Sequence, residues 1–376
     1  MIKLHTEIER AQQWIDRYQS QIPQVACIVG LTETALIPGI SAAGKTPADR
    51  AWTAHADAEF LCNGVQESVT YPLPPLIAGA SPVLISRAVI EGFHLPVQMI
   101  DAGLAAPLSV PYWSHPSAKP ASCVSTGQAM PIAQVKALFE AGLQWGKELS
   151  HAPYLILGEC VVGGTTTALA VLLGLGIDAD GKVNSSHPSC NHAQKQQIAK
   201  AGLDRFWATE PDPSDPEFAF QLLAAVGDPM QPVIAGMTIA ASNHCGILLA
   251  GGTQMLAVYA VTRSIAQAQG FNWRSDNVVV GTTQWVAADP TGNTIELANL
   301  IGKVALIATE LNFQTSHYEA LRAYEQGFVK EGVGAGGCAI AATMIGGWTN
   351  DRLVHSIEAL LTNQESNQES LRKATR

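Results

Sequence analysis

Two acidic side chains lie inside glycine turns, where phosphate binding and proton transfer can meet. Residues 154–175 read "YLILGECVVGGTTTALAVLLGL". Gly158, four residues, then Gly163, Gly164 and Thr165 give the spacing of a strand–turn–helix loop that cradles phosphate. Here glycine stands where such a loop carries lysine, and Glu159 sits within the loop. A helix beginning at Thr165 turns free N–H groups and the positive end of its dipole toward the turn. The hydroxyls of Thr165, Thr166 and Thr167 add donors. A helix dipole contributes about 0.3–1 kcal/mol, up to ~2 when sheltered. That helps hold one phosphate monoester and is weak equipment for a triphosphate with its metal ion. The competing reading is a tight strand–helix turn whose glycines only permit packing.

The second stretch, residues 327–338, reads "GFVKEGVGAGGC" and runs into the apolar helix "AIAATMIGGW". Glu331 precedes the turn glycines Gly332 and Gly334. Two carboxylates on two glycine loops, each at a helix entry, point to a site that binds phosphate and moves a proton. Alternatively, Glu331 is a capping acid at a helix N-terminus. "SHPSCNH" (186–192) and "NHC" (243–245) contain metal-binding residue types without the paired spacing of a zinc site, so no metal is expected. Asp101 ends an apolar run, but no GxGxxG precedes it; it lines the site or caps a turn rather than holding a dinucleotide. Tyr112 and Trp113 either stack on a flat base or plug the core.

The elements that must position these residues follow from the apolar runs. Runs of strand length end in glycine or small polar residues at 25–30, 97–103, 154–159, 246–252 and 277–283, with a weaker sixth, "RFWATE", at 205–210. Helical stretches lie at 75–92, 131–149, 165–174, 216–226, 230–242 and 253–268. This alternation predicts a three-layer α/β fold with a mostly parallel six-stranded sheet and Rossmann-like crossovers. Ligands then bind at the carboxyl ends of the strands. Residues 3–20, two helices in 294–326 and a polar helix over 351–372 make a smaller helical unit from both chain ends (1–24 and 294–376). The large unit spans 25–293, with 327–347 completing the site. Residues 105–128, rich in Pro and Ser, read as a lid or a disordered loop.

Composition narrows the function. The 376 residues are 47% hydrophobic and 14% charged, which suits a sheet covered on both faces or an associating subunit. Thirty-two acids against 22 bases give a net charge of −10 with no basic run, which argues against nucleic acid. Seven scattered cysteines and an N-terminus without an apolar signal core point to reduced thiols in the cytoplasm. The apolar stretches 154–176 and 232–262 are interrupted by Glu159 and by Asn243 and His244, and they lack flanking charge asymmetry, so no membrane span is expected.

Both glycine loops, in this order, resemble the nicotinate-nucleotide:dimethylbenzimidazole phosphoribosyltransferases of cobalamin nucleotide-loop assembly, in a divergent archaeal and cyanobacterial branch. That family carries a GEMGIGNTT-like loop and a GEGTGA-like loop; here stand "GECVVGGTT" (158–166) and "KEGVGA" (330–335). "AMPIAQVKALFEAG" (129–142), "VGDPMQPVIAGMTIAASNHCGILLAGGTQMLA" (226–257) and "VGTTQWVAADP" (280–290) extend the likeness over about 75–347. The resemblance implies Glu331 as catalytic base and Glu159 as the acid beside it. It implies Gly158, Gly163, Gly164, Thr165, Thr166, Gly332 and Gly334 as the turns facing the substrate, and Lys195, Thr282 and Thr283 as phosphate contacts. Its substrates would be nicotinate mononucleotide and an aromatic nitrogen base, with neither cofactor nor metal, in a homodimer. Cys160 and Val161 replace a Met-Gly pair, Gly164 replaces Asn, Val333 replaces Thr, and "VGLTE" (29–33) stands for AGDHG. These departures fall on the base pocket more than on the phosphate site. The alternative function is a phospho-ligand sensor or assembly partner that keeps the fold without turnover.

Overall fold

The apolar runs become strands because helices cover both faces of one sheet. The computed structural model describes residues 1–374. Its strands are β1 (Ile2–Leu4), β2 (Gln24–Gly30), β3 (Val97–Gly103), β4 (Tyr112–Ser114), β5 (Tyr154–Cys160), β6 (Gly246–Ala250), β7 (Val278–Thr283) and β8 (Ala305–Thr309). They form one sheet in the order β1-β8-β7-β6-β5-β2-β3-β4. β1 runs antiparallel to β8, and the other pairings are parallel. From β2 the chain winds outward to β3 and β4, then returns to β5 and winds the other way. The direction of winding therefore changes between β2 and β5, where such sheets open a crevice at their carboxyl ends.

The longer helices, in chain order, are α1 (Ile8–Tyr18), α2 (Pro47–Asn63), α3 (Val83–Phe93), α4 (Ile132–Leu149), α5 (Gly164–Gly174), α6 (His192–Trp207), α7 (Phe218–Val226), α8 (Met230–Ala241), α9 (Gly252–Gln269), α10 (Thr294–Ile301), α11 (Ala335–Gly346) and α12 (Asn350–Ala374). Successive strand side chains point to opposite faces. Ala26 and Ile28, Leu155 and Leu157, and Ile247 and Leu249 enter a core with α4 to α10. Val25 and Cys27, Tyr154 and Ile156, and Leu248 and Ala250 enter a second core with α1, α2, α3, α11 and α12. The result is the expected three layers.

The sheet has eight strands rather than six. The segment 205–210 is no strand. It ends α6 and the turn after it, and the inward residues Lys195, Ala199, Gly202 and Phe206 follow helical spacing. Residues 294–326, read as two helices, contain α10, stopped at Gly302 with φ +79, and then the fully buried strand "ALIAT". The segment 3–20 begins with a strand, and β1 caps the edge of β8. The long loop 105–128 is ordered: β4 extends the sheet beyond β3, and Thr32 bridges Ala121. Tyr112 and Trp113 therefore pack, one against each core, with Trp113 against Trp145 at 6.3 Å between ring centroids. Helix α3 starts at Val83 rather than 75 because Pro74, Pro75 and Pro82 precede it. Helix α2 went unread, although Thr46-Pro47-Ala48-Asp49 is a capping box with proline at its first turn.

Candidate active site

The carboxyl ends of β5, β6 and β7 meet the N-termini of α5, α9 and α11 around one cleft, with an empty volume of about 960 Å³ including its mouth. Glu159, the penultimate residue of β5, lines it and is 2% exposed. Its Oε2 accepts from Val161 N (2.9 Å) and its Oε1 from Gln254 Nε2 (2.9 Å). Burial, and then the neighbouring carboxylates of Asp228, Glu331 and Asp57, push the Glu159 carboxyl up to about 8 against the opposing bond from Val161.

Glu331 lines the same cleft. Its Oε2 accepts from Thr282 Oγ1 (3.0 Å) and Thr283 N (2.9 Å), and its Oε1 from Gly332 N (3.1 Å) and Gly336 N (3.0 Å). Burial outweighs these four donors and raises its carboxyl above the ordinary value. The Gly336 bond caps α11, so the capping role and the cleft-facing role belong to one side chain.

The two loops are fastened to each other. Val333 N donates to Glu159 O at 2.9 Å, and Gly158 lies so close to Gly334 that a Cβ on Gly158 would stand 3.1 Å from the Gly334 backbone. Glycine at these two positions is what lets the loops touch. The Glu331 loop is strained: Val329, Lys330 and Val333 hold φ of +67, +72 and +55. Such conformations cost on the order of 1–3 kcal/mol each and persist only when the surroundings enforce them. Enforcement comes from Val329 N to Ser186 O (3.0 Å), Ser86 Oγ to Val333 O (2.8 Å) and a buried ion pair of Lys330 Nζ with Asp289 Oδ2 (2.5 Å).

At the other loop Gly163 has φ +84 and opens α5. Gly164 N and Thr166 N close the turn on Val161 O and Gly163 O. Gly164 has a more specific reason. A Cβ there would sit 1.8 Å from Gln254 Oε1, so the amide of Gln254, reaching over from α9, fills the space that a side chain at 164 would take.

Of the sequence-predicted residues, Glu159, Gly163, Gly164, Thr165, Glu331 and Gly332 line the cleft. Gly158 and Gly334 lie behind it as the loop contact. Thr282 and Thr283 hold Glu331 instead of facing a phosphate, and Thr283 Oγ1 also donates to Lys330 O. Thr166 is fully buried in α5. Lys195 is fully buried too, and its Nζ donates to Val183 O (2.6 Å) and Asn184 O (2.7 Å), which supports the cleft-lining loop Asn184–Ser186 from behind. Its burial lowers its pKa to about 8. Asp101 caps its own turn through Gly103 N and Leu104 N. No group of three or more His, Cys, Asp or Glu among the described residues is arranged to hold a metal, and no helix there is long and apolar enough to cross a membrane.

Sequence reasoning missed Asp57, Ser81, Gln254 and the lip Ser41–Ala43, all of which line the cleft. The lip is held by Ser186, whose Oγ accepts from Ala42 N (2.8 Å), and by Thr53, whose Oγ1 donates to Ala43 O (2.8 Å), while the Arg50 guanidinium donates to the flanking carbonyls of Ala35, Ile37 and Gly44. The capping box of α2 could have located the helix that carries Asp57; nothing local in the sequence marks Gln254.

A phosphoribosyltransferase family model matches residues 87–277, half of the chain. The chain belongs to this phosphoribosyltransferase family. Among its relatives are the UPF0284 proteins of Crocosphaera subtropica and Microcystis aeruginosa. The first is 55% identical over 367 residues, 96% of this chain and 98% of the relative, and the second 55% over 362 residues with the same coverage. The fold is similar to that of nicotinate-nucleotide-dimethylbenzimidazole phosphoribosyltransferase from Thermus thermophilus, at a TM-score of 0.56 and 16% identity over 89% of this chain and 87% of that one. Membership of the family makes the chain a transferase.

Proposed function

We propose that the protein moves the 5-phosphoribosyl group of nicotinate mononucleotide onto a nitrogen of an aromatic base, a benzimidazole or purine, that becomes the lower ligand of a cobamide. One observation carries this reading: two carboxylates on mutually hydrogen-bonded glycine loops line a single cleft at three helix N-termini. The phosphate lies at the Gly163 and Thr165 amides and the Thr165 hydroxyl. Lys330, the one Lys or Arg among the described cleft-lining residues, is already paired with Asp289, so neutral donors and helix dipoles meet the anion.

The chemistry balances without a cofactor. The pyridinium nitrogen takes the electron pair of its bond to C1′ and leaves as neutral nicotinate, so no general acid is required. A ring nitrogen of the acceptor forms the new bond to C1′ from the opposite face, inverting it. The acceptor's other nitrogen passes its proton to Glu331, a general base worth on the order of 10²–10⁴-fold. Of the four donors on Glu331, the Thr282 hydroxyl is the one that can rotate away to admit the incoming N–H. Glu159 faces the ribose, where positive charge grows at the transition state. An ionised carboxylate there lowers the barrier, and the cationic donor ring draws Glu159 toward that form.

The test mixes the purified protein with nicotinate mononucleotide and a panel of bases and follows free nicotinate. Release that depends on an added base is expected. Tight nucleotide binding without release would instead favour the second reading, a phospho-ligand sensor, for which the saturated hydrogen bonding of Glu331 speaks.

A further inference from the structure

A third carboxylate lines the cleft and has no part in the transfer as described. Asp57, on α2, is 2% exposed, and its Oδ1 accepts from Ser81 Oγ at 2.7 Å. Its Oδ2 has only the thiol of Cys160, at 3.4 Å. A thiol is a weak donor, and a carboxylate has about four acceptor positions. Removing a carboxylate from water and leaving it so poorly matched is costly unless a partner arrives.

The position of Asp57 indicates which partner. Cys160 follows Glu159 directly in sequence. On the other side Ser81 leads into Pro82, and a Cβ on Gly332, the residue after Glu331, would stand 2.9 Å from the Pro82 ring. Asp57 therefore sits between the two loops, touching the Glu159 loop through Cys160 and adjoining the loop that takes the acceptor's proton through Ser81 and Pro82. The phosphate-binding amides lie further along the Glu159 loop, at Gly163–Thr165. The same cleft is lined by Pro74, Leu76 and Pro82, apolar surfaces suited to the faces of a flat ring.

We propose that Asp57 selects the acceptor, receiving a hydrogen bond from an N–H or amino group on an edge of the heterocycle away from the reacting nitrogen pair. This rests on the transferase reading and makes the acceptor class a base with a polar donor edge rather than an all-hydrocarbon one. A buried acceptor left unpaired by the wrong ligand discriminates more strongly than a missing apolar contact does.

The test uses two acceptors of matched size, 5-aminobenzimidazole and 5-methylbenzimidazole, with nicotinate mononucleotide and the full chain. The wild-type protein is expected to prefer the amino compound by tenfold or more in kcat/KM, about 1.4 kcal/mol. Asp57→Asn is expected to bring that ratio to within about threefold of unity. Equal use of the two compounds by the wild type overturns the proposal without any variant. So does an Asp57→Asn variant that loses activity on both compounds alike while keeping the ratio. Calorimetric titration of the two bases into wild-type and variant protein separates this proposal from the transferase reading. If no base releases nicotinate but the wild type still binds the amino compound tenfold tighter, the transfer fails and the recognition by Asp57 stands. Equal affinities overturn the recognition whatever the turnover.

Discussion

Glu331 accepts four hydrogen bonds, and that bounds what a change there does. Glu331→Gln keeps one oxygen for two of the donors and turns an amide NH₂ toward the other two, a cost of about 1–3 kcal/mol in stability. Turnover is expected to fall by 10²–10⁴ while the dissociation constant of nicotinate mononucleotide changes by less than about threefold; steady-state kinetics and calorimetry decide it. Losses of equal size in the two would remove Glu331 from the base role. Glu159 behaves in the opposite way. Its carboxyl is pushed up to about 8 by burial, so at pH 8 folding must either bury a charge that the unfolded chain exposes to water or take up a proton, and both cost stability. Glu159→Gln is expected to raise stability at pH 8 by about 1–3 kcal/mol, each pKa unit being worth about 1.4, while lowering turnover. A chemical-denaturation midpoint that falls at pH 8 would contradict this. The two acids were legible in the sequence because each sits next to glycines that only a turn needs. Asp57 was not, because it lies in the middle of "AHADAEF", where its neighbours make it look like one more surface position of a helix.

At the scale of elements, the strands that periodicity revealed are β2, β3, β5, β6 and β7, each five to seven residues long and buried nearly throughout. The three that it did not are an edge pair of three residues each and β8, hidden between a helix and a loop. Runs that short carry too few alternations to be told from turns. Contacts between elements were illegible for a different reason. Gln254 opens the N-terminal turn of α9, 95 residues from the Glu159 that it bonds, and only the closed sheet brings them together. This contact makes Gly164 testable. In Gly164→Ala the new Cβ meets the flexible end of Gln254 rather than backbone. The fold should lose less than about 1 kcal/mol, as for a surface change, while Gln254 is driven off Glu159. A fall of about tenfold in kcat/KM is expected, restored in part by Gly164→Asn combined with Gln254→Gly, which places an amide in the vacated space from the α5 side. A Gly164→Ala enzyme with unchanged kcat/KM would show that Gln254 has no part in holding Glu159.

At the scale of the whole molecule, one lysine ties the late part of the chain to its middle. Lys330 and Asp289 are each 2% exposed in their side chains, and Asn184 and Thr291 also donate to Asp289. Burial works against the Asp289 charge, but Lys330 and these donors outweigh it and hold the carboxyl below its usual value. Removing the lysine leaves that charge unpaired, so Lys330→Met is expected to cost about 3–5 kcal/mol and Lys330→Met with Asp289→Leu much less; urea unfolding of both variants measures it. The other buried acids set the response to pH, and its sign follows from proton counts. Burial raises Asp57 and Asp228 to about 6 and Glu159 to about 8. Between about pH 4 and those values the unfolded chain has given up protons that the native protein still holds, so stability falls as pH rises. The fall continues through about pH 8, where Glu159 is half ionised in the native protein. Beyond that Lys195, lowered to about 8 by burial, contributes in the opposite direction, because the native protein then sheds a proton that the unfolded chain keeps. The denaturation midpoint is therefore expected to decline from pH 5 to pH 8 and then flatten, and Glu159→Gln should remove the upper part of the decline. A midpoint that rises across pH 5–8 would mean that these carboxyls ionise in the folded protein no later than in the unfolded chain. A cleft lined by ionised Asp57, Glu159 and Glu331 would then attract a cationic nucleotide far more strongly than hydrogen bonds and helix ends alone can.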